Sequence, residues 1–437
     1  MPALAQDDEE EPFRLGTIVI DSFGEFDDDA NNLVATEIGI GSKVATSVLD
    51  TPASVSVITQ KEIQQREADT LGEAIQNTPG VVDDTFPGDE RSDNILIRGL
   101  EATTYRDGLL TGSAGIIREL PFAYERIEVI RGANSTLFGP ADPGGSVNFV
   151  TKTAKFDRFG NVFLTGGSFE RIEAGFDFGG PIDKDERFAF RLAGNVRDGD
   201  REFDFSKNNH QFFLGSLAWR PTNDTQLTFT FDYLNRDNSA NSGGFPLGED
   251  FNRSQFFGEP DFNEQNEERF TISAKFTHDF GNGLTFDANL RYSELEDDFA
   301  YVFLTSFVPA PPGFFGRQFF GVEETLDEFT GNAIVKYDAS FGAVDSNTLV
   351  GVEFREESGT NFGFFGNFTP INLANPVFSG PPINPEASAF ENASSDASTQ
   401  AIFFQQNFSF RDQVILTFGL RQDFLDLSET NNFTGVT

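Results

Sequence analysis

The chain has 437 residues, a formal net charge of −39 and no Cys. The charge excludes nucleic acid, whose binding needs a basic stripe, and simple adhesion to anionic lipid. The missing Cys excludes a disulfide framework and thiol chemistry.

Phe is abundant, at 53 residues, and Trp and Met occur once each. No run approaches the roughly 18 apolar residues of a membrane helix. Many aromatic residues at low mean hydropathy are what alternating strands produce, so either a large soluble β protein or a membrane barrel fits the composition.

At the N-terminus, Pro2-Ala3-Leu4-Ala5-Gln6 looks like the end of a secretory signal, with an Ala-x-Ala site before Gln6. The charged and apolar regions that should precede it are missing, as a late-called start would produce. Acidic runs at Asp7 to Glu11 and Asp27 to Asp29 make residues 7–37 read as a mobile tail. Thr17-Ile18-Val19-Ile20 interrupts it. This β-prone island is either a chance patch or a strand that adds to a partner's sheet edge.

Residues 38–155 read as a compact mixed segment. Val55, Val57 and Ile58 predict a short strand. Thr59 with Glu62, and Thr70 with Glu73, predict two capping boxes and two short helices. Asn77-Thr78-Pro79-Gly80 ends the second. Ile95 and Ile97 lead into Arg98-Gly99, and Ile127 and Val129 lead into Arg131-Gly132 in the same way. Asp107-Gly108 marks a hairpin.

The stretch ERIEVIRGANSTLFGPADPGGSVNFVTK (125–152) pairs an alternating run with a glycine-rich region and a second β-type run. Its glycines do not form a phosphate loop: Gly145 leads into Ser146-Val147-Asn148, with no Lys and no helix to follow.

From about residue 160 strands predominate, clearest at Phe188 to Val196, Leu227 to Tyr233, Leu284 to Tyr292 and Val414 to Phe424. In the third, Leu284, Phe286, Ala288, Leu290 and Tyr292 share one face, and Thr285, Asp287, Asn289, Arg291 and Ser293 the other. Short turns at 181–186, 220–224, 281–283, 340–346 and 411–412 alternate with long connections at 198–209, 237–268, 297–328 and 358–399. A transmembrane barrel has this asymmetry, whereas a soluble sandwich has no reason to gather its long loops at one end. The strands number roughly 11, each about 9–13 residues, near the length that crosses a bilayer when tilted.

The segments TPASVSVITQKEI (51–63), LGEAIQNTPGV (71–81), ILIRGL (95–100), YRDGL (105–109) and 125–152, with FFQQNFSF (403–410) and LTFGLRQD (416–423), resemble the TonB-dependent outer-membrane receptors, most closely the ferric-siderophore branch. Ala133 stands where that family usually has Pro, and Phe138 where it usually has Tyr.

The resemblance implies a mainly β fold: a transmembrane antiparallel barrel of about 22 strands with an N-terminal α+β plug inside it. Residues 1–37 would be the tail, 38–155 the plug and 156–437 a partial barrel. Half the strand count, and an end at Thr437 after an up-strand, predict a fragment truncated at both ends; the alternative is a small complete barrel.

The resemblance also implies function: active import of a ferric siderophore across the bacterial outer membrane, among lipid and lipopolysaccharide. TonB, with ExbB and ExbD, would pull on a box at Thr17, Ile18, Val19 and Ile20. No cofactor is implied; the iron chelate is cargo. Cobalamin, an oligosaccharide or another metal chelate is the alternative cargo, and a passive or adhesive barrel a further one.

The family's binding residues fall near 105–115, which makes Tyr105, Arg106 and Arg118 ligand candidates, with Arg98 beside them. For Arg98 and Arg131 the competing reading is pairing within the plug. The aromatic clusters Phe299 to Phe320 and Phe362 to Phe368 either embrace an apolar ligand or pack loops together. No enzyme is indicated: the two His, His210 and His278, fall at opposite ends of the strands, and no catalytic constellation appears.

Overall fold

The computed structural model describes residues 32–39, 46–49, 51, 53–83, 92–111, 118–132, 139, 142–246, 248–411 and 413–437. Two short strands, β1 (Glu37–Ile38) and β2 (Thr46–Ser47), pair first. Then come β3 (Ser54–Thr59), helices α1 (Gln60–Arg66) and α2 (Leu71–Ile75), and the short strands β4 (Val81–Val82), β5 (Leu96–Ile97) and β6 (Leu100–Glu101). β7 (Thr103–Arg106), β8 (Leu109–Leu110), β9 (Tyr124–Arg131) and β10 (Gly145–Thr151) follow.

β3, β9, β10, β7 and β8 form one five-stranded sheet in that order, and β4, β5 and β6 a second, smaller one. The β7–β8 hairpin turns at Asp107 and Gly108, both at positive φ (53° and 75°), as the Asp-Gly pair predicts.

Both helices start where the sequence places them, with different chemistry. Thr70 and Glu73 cap each other reciprocally. Thr59 accepts from the Glu62 amide, but the Glu62 carboxylate goes to Arg66 one turn later, so only half of that box forms. Ile58, Ile63, Leu71, Ala74, Ile75, Ile127, Val129 and Val147 are buried together.

The glycines of 125–152 permit close approach. A methyl group on Gly144 would lie 2.4 Å from the Ile97 carbonyl oxygen, and one on Gly145 2.2 Å from that of Ile130. They let β10 press against β5 and β9.

Eleven antiparallel strands then form one sheet in sequence order: β11 (Phe159–Gly166), β12 (Ile172–Pro181), β13 (Phe188–Asp198), β14 (Asn208–Thr222), β15 (Thr225–Asn238), β16 (Glu264–Gly281), β17 (Leu284–Thr305), β18 (Phe314–Phe341), β19 (Val344–Asn372), β20 (Ala389–Phe410) and β21 (Val414–Asn431). Among the described residues β11 pairs only with β12 in this sheet, and β21 only with β20. One face carries exposed apolar side chains such as Leu217, Phe229, Ile272, Leu290, Val352 and Leu420. The other is polar, and the five-stranded unit packs on it.

The short turns fall where expected, but the long connections are shorter than expected. β18 and β19 run for 28 and 29 residues, so the connections shrink to 306–313 and 373–388. Glu and Gly made these stretches read as loop. Alternation continues through them, and the glycines seat aromatic rings: a Cβ on Gly321 would meet the ring of Phe364 at 2.1 Å, and one on Gly366 that of Phe319 at 2.6 Å.

Candidate functional site

The polar face of the sheet is built by alternation. On β15, Thr228, Thr230, Asp232, Leu234 and Arg236 are buried toward the plug, while Phe229 and Phe231 between them are exposed. Asp232 accepts from Arg106 Nη2 at 2.5 Å, with both side chains buried. Arg106 Nε also donates to Thr151 Oγ1 at 3.0 Å. On β16, Arg269 Nη1 lies 2.8 Å from Glu119, which also accepts from the Tyr124 hydroxyl.

Burial pushes the Glu119 carboxyl up, but the Arg269 charge and its hydrogen bond outweigh this and hold it at about 2. Glu125 behaves alike: burial raises it, and Arg191 and Lys155 bring it down to about 2. Arg191 on β13 bridges Glu125 (2.7 Å) and Asp177 (2.8 Å). Lys152 reaches the same Asp177 at 2.9 Å, and burial, against that attraction, lowers its ammonium to about 8. Arg291 on β17 donates to the carbonyl oxygens of Arg106 (3.0 Å) and Leu110 (2.8 Å) and pairs with Glu328 at 2.6 Å. Between α1 and α2, Asp69 accepts from Arg197 of β13 at 2.7 Å.

The residues singled out in the sequence sit in different settings. Tyr105 and Arg106 are buried at the contact between plug and sheet. Burial, then the nearby Glu353 charge, pushes the Tyr105 hydroxyl up. Arg98 is exposed on the β5–β6 turn, at φ 56°. Its Nη1 lies 3.9 Å from where a methyl group on Gly132 would sit. Burial and the Arg98 charge lower the Arg131 guanidinium, which donates to the Pro79 carbonyl oxygen at 2.6 Å and to Ser56 at 2.8 Å. The two arginines are therefore neighbours within the plug, and among the described residues neither forms an ion pair. Arg118 is half-buried, its carbonyl oxygen accepts from Arg236, and its charge acts on Asp93. Thr17, Ile18, Val19 and Ile20 lie outside the described residues. His210 and His278 are on β14 and β16, bonded to Asn195 and Thr225 respectively.

The wall partners Asp232, Arg269, Asp177, Arg191 and Arg291 did not stand out in the sequence. The available signal was a charged residue on the polar side of an alternating strand.

At the long-connection end, the two aromatic clusters separate by face. Phe262, Ala300, Val302, Phe319 and Phe364 are buried together under the segment 239–263. There Arg317 and Glu259, both fully buried, pair at 2.8 Å. Glu259 also accepts from the Ser379 and Gly380 amides (3.0 and 2.9 Å), and Arg317 donates to the carbonyl oxygens of Gly258 and Thr369. One ion pair thus joins the connection 239–263, the start of β18 and the connection 373–388. Phe299, Tyr301, Phe303 and Phe320 lie on the opposite, plug-side face.

An eleven-stranded, apolar-backed sheet with a small α+β unit pinned to its polar face is the arrangement of a plugged outer-membrane barrel wall. The TonB-dependent Receptor Plug Domain family matches residues 47–146, and the TonB dependent receptor-like β-barrel family matches 213–437. The chain belongs to the TonB-dependent receptors, proteins of the bacterial outer membrane.

It is 30% identical over 358 residues to the ferrioxamine B receptor of Salmonella typhimurium, covering 78% of this chain and 51% of that protein. It is 26% identical over 451 residues to the ferrichrome outer membrane transporter/phage receptor of Escherichia coli, covering 93% and 59%. The pyoverdine outer membrane receptor FpvA from Pseudomonas aeruginosa, solved bound to pyoverdine, shares the fold at a TM-score of 0.84 and 19% identity, covering 95% of this chain and 63% of that one. The chain spans about half the length of the curated relatives it matches.

Proposed function

We propose that this chain serves TonB-dependent import of a ferric siderophore across the outer membrane. The observation that carries the reading is the plug: a folded unit held against the wall's polar face by buried ion pairs blocks passage until something moves it. A passive or adhesive barrel has no use for such a gate.

In this reading residues 1–37 form the tail, 38–155 the plug and 156–437 the wall. External loops and plug apices take the iron chelate from outside. TonB, energised through ExbB and ExbD, pairs with Thr17, Ile18, Val19 and Ile20 and pulls the plug. Arg98, exposed on the β5–β6 turn, and Arg118, half-buried, are the ligand-side candidates. Tyr105 and Arg106 act one step removed, by holding the plug in register.

Growth of a receptor-deleted strain on single iron sources tests the cargo. Loss of growth on one ferric siderophore is expected; unchanged growth on all of them, with loss of cobalamin or glycan use, overturns the reading. Ile18→Pro, which removes a ladder donor, is expected to abolish uptake and leave binding intact. Normal uptake in that variant would remove the box.

A further inference from the structure

The lipid-facing side of the wall carries a groove of about 490 Å3 across β11 to β15, within the range of small-molecule sites. Register fixes its face. Val162, Phe176, Gly194, Phe213 and Tyr233 stand directly opposite one another in one row. That row shares the parity of Phe229, which is exposed, and not that of Asp232 and Leu234, which are buried toward the plug. The middle of the groove is built from small residues, Gly194 and the exposed Ala174. The Phe176 ring leans over Gly194, where a methyl group would lie 2.7 Å from it. Val162, Val196 and Phe213 are 80%, 52% and 38% exposed along its sides.

Two residues higher on each strand, about 7 Å toward the long-connection end, the outward row is polar. Gln211 stands opposite Asn235, and Asn235 opposite Glu268. The Tyr233 hydroxyl, at the end of the groove, bonds Glu268 and Asn235. A hydrocarbon slot closed above by amides, a hydroxyl and a carboxylate has the layout of one lipid chain and its head group.

Charge narrows the head group. Above the groove, the outward face of β11 to β16 carries Asp198, Asp237, Glu264 and Glu268. The basic residues at that height on these strands, Arg197, Arg236 and Arg269, have the opposite parity and pair with Glu173, Glu267 and Glu119. In the connections, Lys207 is bound to Asp237 at 3.0 Å, Arg171 pairs with Asp69 and Glu173, and Arg201 is half-buried. Arg253 is exposed further out, next to Ser254, whose carbonyl oxygen accepts from the Asp204 amide of the connection 199–207. The strands therefore offer a head group amides and carboxylates and no cation. A phosphate there meets like charge and no charge-assisted donor. Sugar hydroxyls both donate and accept, and so satisfy amides and a carboxylate together.

We infer that this groove is a site for an outer-leaflet glycolipid with an uncharged sugar head group. One acyl chain fills the slot over Ala174 and Gly194, and the sugar hydroxyls bond Gln211, Asn235 and Glu268. The site lies on the outside of the wall and is independent of the cargo.

Native mass spectrometry of the purified full-length receptor tests this, with the detergent-solubilised protein titrated with monoglucosyl diacylglycerol or with phosphatidylglycerol of the same chains. The glycolipid is expected to bind at least about tenfold tighter, a difference of about 1.4 kcal/mol. Ala174→Phe, which fills the slot from an exposed position, is expected to weaken it about tenfold and to leave thermal unfolding unchanged. Glu268→Lys is expected to strengthen phosphatidylglycerol binding and erase the preference. Equal binding of the two lipids by wild type, tighter binding of phosphatidylglycerol, binding of neither, or glycolipid binding that Ala174→Phe leaves intact would each overturn the site. None of these outcomes bears on the siderophore reading.

Discussion

The plug meets the wall in two chemically different ways. Against β12 to β17 apolar packing on Phe212, Leu214, Leu234 and Leu295 is joined by directional buried ion pairs: Arg106 with Asp232, Glu119 with Arg269, Lys152 with Asp177, and Arg191 with Glu125. Against β18 to β20 it is apolar, with Ile38, Tyr105 and Ile130 packed on Ile334, Leu349 and Phe403. A buried ion pair tolerates little displacement, because a separated charge is left without solvent. An apolar contact loses energy gradually as surfaces slide. The first side fixes where the plug sits; the second is the side along which it can shift at lower cost.

Removing an anchor on the ionic side should have the largest effect. Asp232→Ala leaves the Arg106 guanidinium buried without its carboxylate, and is expected to destabilise the plug by about 3–5 kcal/mol. Faster proteolytic cleavage of the plug in the intact receptor would register it, and a wild-type cleavage rate would remove the distinction between the two sides.

Acid offers a reversible version of the same experiment. Glu119 and Glu125 are held at about 2, below the ordinary 4.5. A depressed carboxylate contributes stability that is complete above pH 4.5 and is lost as pH falls toward about 2. Plug protection is therefore expected to be flat near neutrality and to fall below about pH 4.5. Loss that begins on the alkaline side would contradict it.

The smallest change belongs to the apolar side. Ile334→Val, which deletes one methylene from the Tyr105 contact, is expected to cost about 1 kcal/mol. Thermal unfolding checks this, and a loss matching that of Asp232→Ala would mean that the apolar side anchors the plug equally.

Much of this arrangement was legible in the sequence. The two-residue period of Leu284 to Tyr292 placed its faces correctly, and the alternation of short and long connections gave the wall its direction. The ion pairs were not legible, because they join residues far apart in the chain: Arg106 and Asp232 are 126 positions apart, Glu119 and Arg269 150. No local pattern records which strand comes to lie beside which plug loop. Arg106, a ligand candidate on the resemblance, has its guanidinium paired with the wall, which no local pattern records. Charge misled once more in β18 and β19, where Glu-rich stretches read as loop although every second residue still pointed outward. The aromatic clusters were visible as composition; only the strand register divided Phe299, Tyr301 and Phe320 from Phe319 and Phe364.

The Arg317–Glu259 pair carries a consequence for life outside the cell. Surface ion pairs weaken as ionic strength rises, because mobile ions screen them. This pair has no solvent-exposed surface on either side chain. The connections it joins should therefore keep their arrangement from dilute freshwater to brine, so that salinity alters how fast a charged chelate arrives and leaves the shape it meets unchanged.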